Sequence, residues 1–161
     1  MIKISLISEN DIAAVAELEK EIFSDAWSEK SVRETYEQNH ALIIGAWEEE
    51  TFVGYVIFYY VLDEGEIARI AVSPECRRKG VAGRLFTGIL KECEKKEITR
   101  ILLDVRVSNE PAIAFYKKCG FTEHHRVKNF FTDNYDHPIF EAGIQLVDMV
   151  YLSRKIGEEN A

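Results

Sequence analysis

Apolar runs with strand character alternate along this chain with stripes at helical spacing. The pattern predicts an α/β domain, a mixed sheet of six or seven strands with about four helices. Two further observations bound that reading. The 161 residues are 47% hydrophobic and 30% charged, with 9 Gly and 3 Pro, so the chain can bury a core and is neither disordered nor collagenous. No internal repeat or linker interrupts the pattern. A single domain is therefore expected over residues 1–156, followed by a frayed tail, Gly157-Glu158-Glu159-Asn160-Ala161.

The first strand is expected over Ile2–Leu6. Ser8-Glu9-Asn10-Asp11 has the form of a capping box, and Ile12, Val15, Leu18 and Ile22 then recur at helical spacing. Ser28 can cap a second helix with Val32 and Tyr36 on its inner face. Ala41–Trp47 and Phe52–Tyr60 read as strands, and the short acidic turn Glu48-Glu49-Glu50-Thr51 makes them an antiparallel hairpin. A third strand, Glu66–Val72, ends before Pro74, which cannot continue a ladder.

From Gly80 the pattern is helical, with Val81, Leu85, Ile89 and Cys93 on one stripe. Ile101-Leu102-Leu103-Asp104-Val105 is nearly continuous in apolar character, as in a strand covered on both faces. Ser108-Asn109-Glu110-Pro111 supplies a capping residue and an early proline for the next helix, and Gly120 is placed to end it in the left-handed conformation. Strands around Thr122–Lys128 and Gln145–Leu152 complete the reading, with residues 129–143 between them.

Twenty Lys and Arg against 28 Asp and Glu give a net charge of -8, which argues against a nucleic-acid binder. The longest apolar runs, such as Ala41–Trp47, fall far short of the roughly 18 residues of a membrane span. The N-terminus lacks the pattern of a signal or transit peptide, and the mature protein is expected to begin at Met1. Cys76, Cys93 and Cys119 form neither a disulfide framework nor a zinc pattern, which fits a reducing cytoplasm.

The strongest chemical signal is Arg77-Arg78-Lys79-Gly80-Val81-Ala82-Gly83-Arg84, between a strand and a helix. From Arg69 to Arg84 there are five basic residues and one acid, Glu75, a local balance of +4. Glycines let backbone N–H groups approach a ligand, and the helix points its positive end at the same place, so the turn suits a pyrophosphate. Neither a Walker loop nor a GxGxxG fingerprint is present.

Two motifs make the chain resemble the GNAT acyltransferase superfamily. Ile70-Ala71-Val72-Ser73-Pro74 followed by Arg77-Arg78-Lys79-Gly80-Val81-Ala82 is similar to that family's central strand and R/Q-x-x-G-x-G/A acetyl-CoA loop. Asn109 through Ala112 and Tyr116 to Gly120-Phe121 is similar to its N-x-x-A-x-x-x-Y-x-x-x-G-F signature. Within the superfamily the chain most resembles the ribosomal-protein-alanine N-acetyltransferases of the RimI type, through Ala26-Trp27-Ser28-Glu29-Lys30, Leu62-Asp63-Glu64 and Leu103-Asp104-Val105-Arg106-Val107-Ser108-Asn109.

The resemblance implies the GNAT fold, with the acyl donor in an opening between two central strands splayed by a bulge. It implies that the backbone of Ile70, Ala71 and Val72 binds the pantetheine and polarises the thioester. The loop residues Arg77, Arg78, Lys79, Gly80, Val81, Ala82 and Gly83 would hold the pyrophosphate, and Asn109 would touch the pantetheine arm. Asp104 stands at the position of the catalytic base and Tyr116 at that of the acid. Asp104 is one methylene shorter than the family's usual glutamate. Lys128-Asn129-Phe130-Phe131 replaces the usual Asn-Tyr-Tyr, and the stretch from Phe131 to Met149 is longer than expected.

Acetyl-CoA is thus the expected co-substrate, and the expected acceptor is a protein N-terminus, in particular that of a small-subunit ribosomal protein beginning with alanine. The rivals are a small amine, such as a polyamine, aminoglycoside or amino acid, and a non-catalytic acyl-CoA-binding module. Glu66 is the reserve base. Trp27 is either a substrate-loop aromatic or a core plug. Cys119, one helical turn from Tyr116, reads as a buried residue before the Gly120 cap rather than an acetyl carrier. His40, His124, His125 and His137 lack ligand spacing, so no metal is expected.

Overall fold

The computed structural model describes residues 1–141 and 144–156, and the tail expected to fray lies outside them. The chain divides into two compact units, Met1–Thr99 and the residues from Arg100 onward.

In the first unit, β1 (Ile2–Leu6), β2 (Ala41–Glu48), β3 (Thr51–Val61) and β4 (Glu64–Val72) follow one another in an antiparallel sheet. Side chains alternate across this sheet, and each face takes different helices. Ile43, Tyr55, Ile57 and Ala71 meet α1 (Ile12–Ile22) and α2 (Glu29–Tyr36) through Ile12, Val15, Leu18 and Val32. The opposite face carries α3 (Val81–Lys95). A β-carbon on Gly88 would lie 3.2 Å from Ile4, and one on Gly54 would lie 3.4 Å from Val81 and Leu85.

The expected caps are present, with one difference. The N–H of Ser31 donates to Ser28 Oγ at 3.1 Å and starts α2. The Ser8–Asp11 box instead closes a single 3₁₀ turn, and α1 begins after it at Ile12. The hairpin turns at Glu49, which adopts a left-handed φ of 56°.

Strand β4 starts two residues earlier than expected, because Glu64 and Gly65 pair with Val61 and Tyr60. The ring of Phe58 lies over Gly65, whose missing side chain makes that contact possible. Further along, Ile57 faces Arg69 while Phe58 faces Ile67, so Ala68 is an extra residue and β4 is bulged there.

The second unit is built on β5 (Arg100–Arg106), β6 (Thr122–Val127) and β9 (Met149–Lys155), antiparallel with β9 in the middle. Helix α4 (Glu110–Lys118) connects β5 to β6. Ile101, Leu103 and Val105 of β5 are buried whereas Leu102 is half-buried and Asp104 exposed, so the two faces of this strand are unequally covered. The strand expected over Gln145–Leu152 is displaced. Gln145 pairs with Phe140 in a short hairpin, β7 (Phe140–Glu141) with β8 (Ile144–Gln145), and β9 runs from Met149 to Lys155. Asp148 ends the intervening loop by accepting the N–H of Asn129 at 2.9 Å on its carboxylate and that of Val107 at 3.2 Å on its carbonyl.

A fifth helix, α5 (Phe130–Asp133), adds one turn to the four expected, and its Phe131 packs with Leu146 and Met149. Strand β6 also carries a bulge, with His124 as the extra residue. The bulge turns two consecutive rings together, with Nδ1 of His124 and His125 2.6 Å apart, and His125 stacks on Tyr151 at 4.6 Å. Among the described residues, no helix is long and apolar enough to cross a membrane.

Candidate active site

In the first unit, β4 leads through a 3₁₀ turn at Pro74–Cys76 into the basic loop and then α3. Arg78 and Gly80 both adopt left-handed φ values, 68° and 77°. The helix has no side-chain cap, and its first backbone bond runs from the Arg84 N–H to the Gly80 carbonyl at 3.1 Å. The amides of Val81, Ala82 and Gly83 are therefore left without an acceptor inside the helix. A β-carbon added at Gly80 or Gly83 would meet no other atom within 4 Å. The turn thus offers several N–H donors, a positive helix end and open space above them, a fit for a pyrophosphate.

The five cations counted in the sequence do not all serve this turn. Arg77 Nε donates to the Val72 carbonyl at 3.2 Å and braces the loop against the end of β4. Lys79 pairs with Glu48 at 3.3 Å. Arg78 and Arg84 form no ion pair among the described residues. Arg69 turns away altogether. Its Nε lies 3.3 Å from the carboxylate of Glu19, and its Nη2 donates to the Asp25 carbonyl at 3.0 Å.

Glu19 was not singled out by sequence reasoning. Its side chain is fully buried, accepts the Tyr55 hydroxyl in a short hydrogen bond, and accepts the backbone N–H of Trp27 at 2.8 Å. Burial and the Glu19 carboxylate push the Tyr55 phenol far above its ordinary range. The signal was available: Glu19 continues the Ile12, Val15 stripe at helical spacing, a charge in a core position. Trp27 itself packs against the core under α1.

In the second unit, Asp104 sits on β5 and Tyr116 on α4, and the charge of Asp104 is near enough to raise Tyr116. Tyr116 is buried between Phe115 and Phe121. Desolvation is the main cause holding its phenol above the ordinary range, followed by Cys119 and then Asp104. Asp104 is exposed at one side yet partly desolvated, which raises its carboxyl against the opposing effect of a backbone hydrogen bond. Asn109 caps α4 by accepting the Ala112 N–H at 3.3 Å. Its amide oxygen is thus committed, and its NH₂ is the end that can reach a ligand.

Glu66 is an exposed residue of β4. Cys76 and Cys93 are buried, and desolvation raises the Cys76 thiol and that of half-buried Cys119, whose carbonyl accepts Arg154 Nε at 2.8 Å. Among the described residues, no group of three His, Cys, Asp or Glu is arranged to hold a metal.

A bulged strand leading into an uncapped, basic helix start is the architecture of an enzyme that takes acyl groups from coenzyme A thioesters. The profile of the acetyltransferase (GNAT) family matches residues 12–121, and the chain belongs to that family as an acetyl-CoA-dependent N-acetyltransferase. The ribosomal protein bS18-alanine N-acetyltransferase of Escherichia coli K12 is 30% identical over 141 residues, which cover 86% of this chain and 95% of the relative. Its Salmonella typhimurium counterpart is 29% identical over 134 residues, or 83% of this chain and 90% of the relative. The crystal structure of the Escherichia coli ribosomal-protein-S18-alanine N-acetyltransferase matches with a TM-score of 0.84 at 27% identity, covering 98% and 97% of the two chains. A GNAT acetyltransferase from Elizabethkingia anophelis with acetyl-CoA bound shares the fold, with a TM-score of 0.76 at 23% identity over 96% and 98% of the two chains.

Proposed function

We propose that this chain acetylates the N-terminal α-amine of a protein in the cytoplasm, the acceptor being a small-subunit ribosomal protein with an N-terminal alanine. The observation that carries this reading is the similarity, over more than four-fifths of the chain, to enzymes named for that acceptor. Acetyl-CoA supplies an activated acyl group. The amides around Gly80, Val81, Ala82 and Gly83, with Arg77, Arg78 and Lys79 about them, take the pyrophosphate. The arm runs back along the backbone of Val72, Ala71 and Ile70, whose N–H groups polarise the thioester carbonyl, and Asn109 donates to the arm from its NH₂.

An α-amine of pKa about 8 is roughly one-tenth neutral at pH 7, whereas a lysine near 10.4 is neutral only about once in 2,500. A single carboxylate therefore suffices as base for an N-terminus. Asp104 takes one proton from the ammonium, directly or through one water, and its raised carboxyl makes it the better acceptor. The amine then attacks the carbonyl carbon, the nitrogen sheds its second proton to solvent as the C–S bond breaks, and Tyr116 protonates the departing thiolate. Moving a proton from a phenol near 10 to a thiolate near 8.5 costs about 2 kcal/mol, and burial of Tyr116 adds to that. Solvent returns the proton to Tyr116, and one proton is released per turnover.

The test is thiol release with an N-terminal alanine peptide, with a polyamine, and with no acceptor. Turnover confined to the peptide is expected. Preference for the polyamine selects the small-amine reading, and no turnover with any amine selects the binding module.

A further inference from the structure

We propose that Arg69 and Glu19 form a clamp that positions the acceptor, by fixing the segment Phe23–Trp27 beside the acyl end of the cofactor strand. This rests on the reading above, which lays the pantetheine arm along Ile70–Val72 with its pyrophosphate beyond Val72. The acyl end then falls at the N-terminal side of Ile70, next to Arg69 and the bulge at Ala68.

Arg69 holds both ends of the segment that leaves α1. Its guanidinium lies 4.0 Å from the centre of the Phe23 ring and 5.8 Å from that of Trp27. It also reaches Asp25 twice, at the carbonyl (3.0 Å) and at Oδ1 (3.4 Å). Glu19 secures the other side by accepting the Trp27 N–H and the Tyr55 hydroxyl while pairing with Arg69. The Glu19 side chain is 0% exposed and that of Arg69 13%, so solvent screens this pairing little.

A bulge frees one residue of β4 from the regular ladder with β3, and Arg69 follows it immediately, so the clamp ties the loop to that bulge. Pairing with Glu19 alone would satisfy the charge of Arg69. The contacts to Phe23, Asp25 and Trp27 all go to the connecting segment, and they set where its backbone lies. Arg69 and Glu19 are positioning residues, since neither touches the reacting atoms. What they order is the wall an incoming peptide amine must pass.

The experiment compares wild type with Arg69→Met, Arg69→Lys and Asp25→Ala. It measures acceptor KM and kcat with the N-terminal alanine peptide and acetyl-CoA affinity by calorimetry. Arg69→Met should raise acceptor KM about tenfold while acetyl-CoA affinity and kcat stay within about twofold. Lysine should restore part of the loss, because it keeps the charge on Glu19 but not the planar contact with Phe23. Asp25→Ala, which leaves the buried pair intact, should raise KM about twofold to threefold.

An unchanged acceptor KM in Arg69→Met, or a parallel loss of acetyl-CoA affinity, overturns the clamp. If Arg69→Met does not fold, an unchanged KM in Asp25→Ala does the same. A wild type that acetylates only the polyamine overturns the N-terminal reading alone, and the same KM split is then read with that amine. A wild type inactive with every amine overturns both.

Discussion

Gly80 and Gly83 have equally empty surroundings, yet alanine at these two positions should act in opposite directions. Neither added β-carbon meets an atom beyond its own local backbone within 4 Å, so clashes with the rest of the protein contribute nothing. Gly83 lies in the first turn of α3 with ordinary helical backbone. Alanine there should stabilise the apo protein by about 0.5–1 kcal/mol through helix propensity. At roughly 2–4 °C per kcal/mol for a domain of this size, Tm should rise by about 1–4 °C. At Gly80, with φ at 77°, alanine meets the left-handed penalty of about 1–2 kcal/mol, offset partly by the smaller entropy of its unfolded chain. Tm should fall by about 1–4 °C.

Acetyl-CoA binding separates the pair further. On the proposed assignment backbone amides hold the pyrophosphate, and Gly83→Ala retains them, so the affinity of that variant should stay within about threefold, under 0.7 kcal/mol. Gly80→Ala alters the turn that aims the amides and should weaken binding about tenfold or more, at least 1.4 kcal/mol. Thermal melts without ligand and titration calorimetry with it measure both quantities. Equal affinities in the two variants would refute the assignment of the pyrophosphate to this turn. A tenfold loss in Gly83→Ala alone would place the ligand against that α-carbon instead.

Tyr116→Phe keeps the ring between Phe115 and Phe121 and removes only the proton, so turnover should fall on the order of 10²-fold with acetyl-CoA affinity intact; turnover within twofold of wild type makes Tyr116 a packing residue. Asp104→Asn should depress turnover most near pH 7 and less towards pH 9, where the α-amine deprotonates in solvent; an equal deficit at both makes Asp104 a substrate-positioning residue and Glu66 the next candidate base. The same variant should be slightly more stable than wild type at pH 7. A carboxyl whose folded pKa is raised favours folding only while protonated, so the gain should vanish as pH falls below the ordinary aspartate value of about 3.9. Glu19→Ala leaves Arg69 and the Tyr55 hydroxyl uncompensated and should cost about 3–5 kcal/mol in denaturant melts; a loss below about 1 kcal/mol would mean that water replaces the carboxylate.

Most element boundaries were legible because local chemistry set them: Ser28 and Asn109 cap where their side chains demand it, and Gly120 turns left-handed at φ 95°. Strand Met149–Lys155 was misplaced because Leu146 and Val147 continue its apolar run, while its true start is set by pairing with Arg106 and Val127 and by Asp148. Pairing partners distant in sequence leave no local mark. The basic turn was legible as a candidate phosphate site from Gly80 and its neighbours, and the structure gives it an uncapped helix start with a left-handed Gly80. Arg69 was miscounted into it, since strand alternation and a bulge decide which way that side chain turns. The residue that takes Arg69, Glu19, stands on a helix fifty positions earlier and can be matched to it only in three dimensions.

The condition of the three cysteines bears on what the enzyme makes. Each turnover liberates coenzyme A, a thiol that in the presence of oxidant would form mixed disulfides with any reactive cysteine near the place of its release. Thiolates, not thiols, carry out that exchange. Cys93 is sealed in the core, Cys76 is buried beside the Glu48 carboxylate, and Cys119 is half-buried, with desolvation holding the last two in the thiol form. The protein is therefore a slow partner for its own product. A thiol-reactive chromophore added to a running reaction should register the released coenzyme A against a low protein background, and oxidative conditioning that caps exposed cysteines elsewhere should leave this chain largely unmodified.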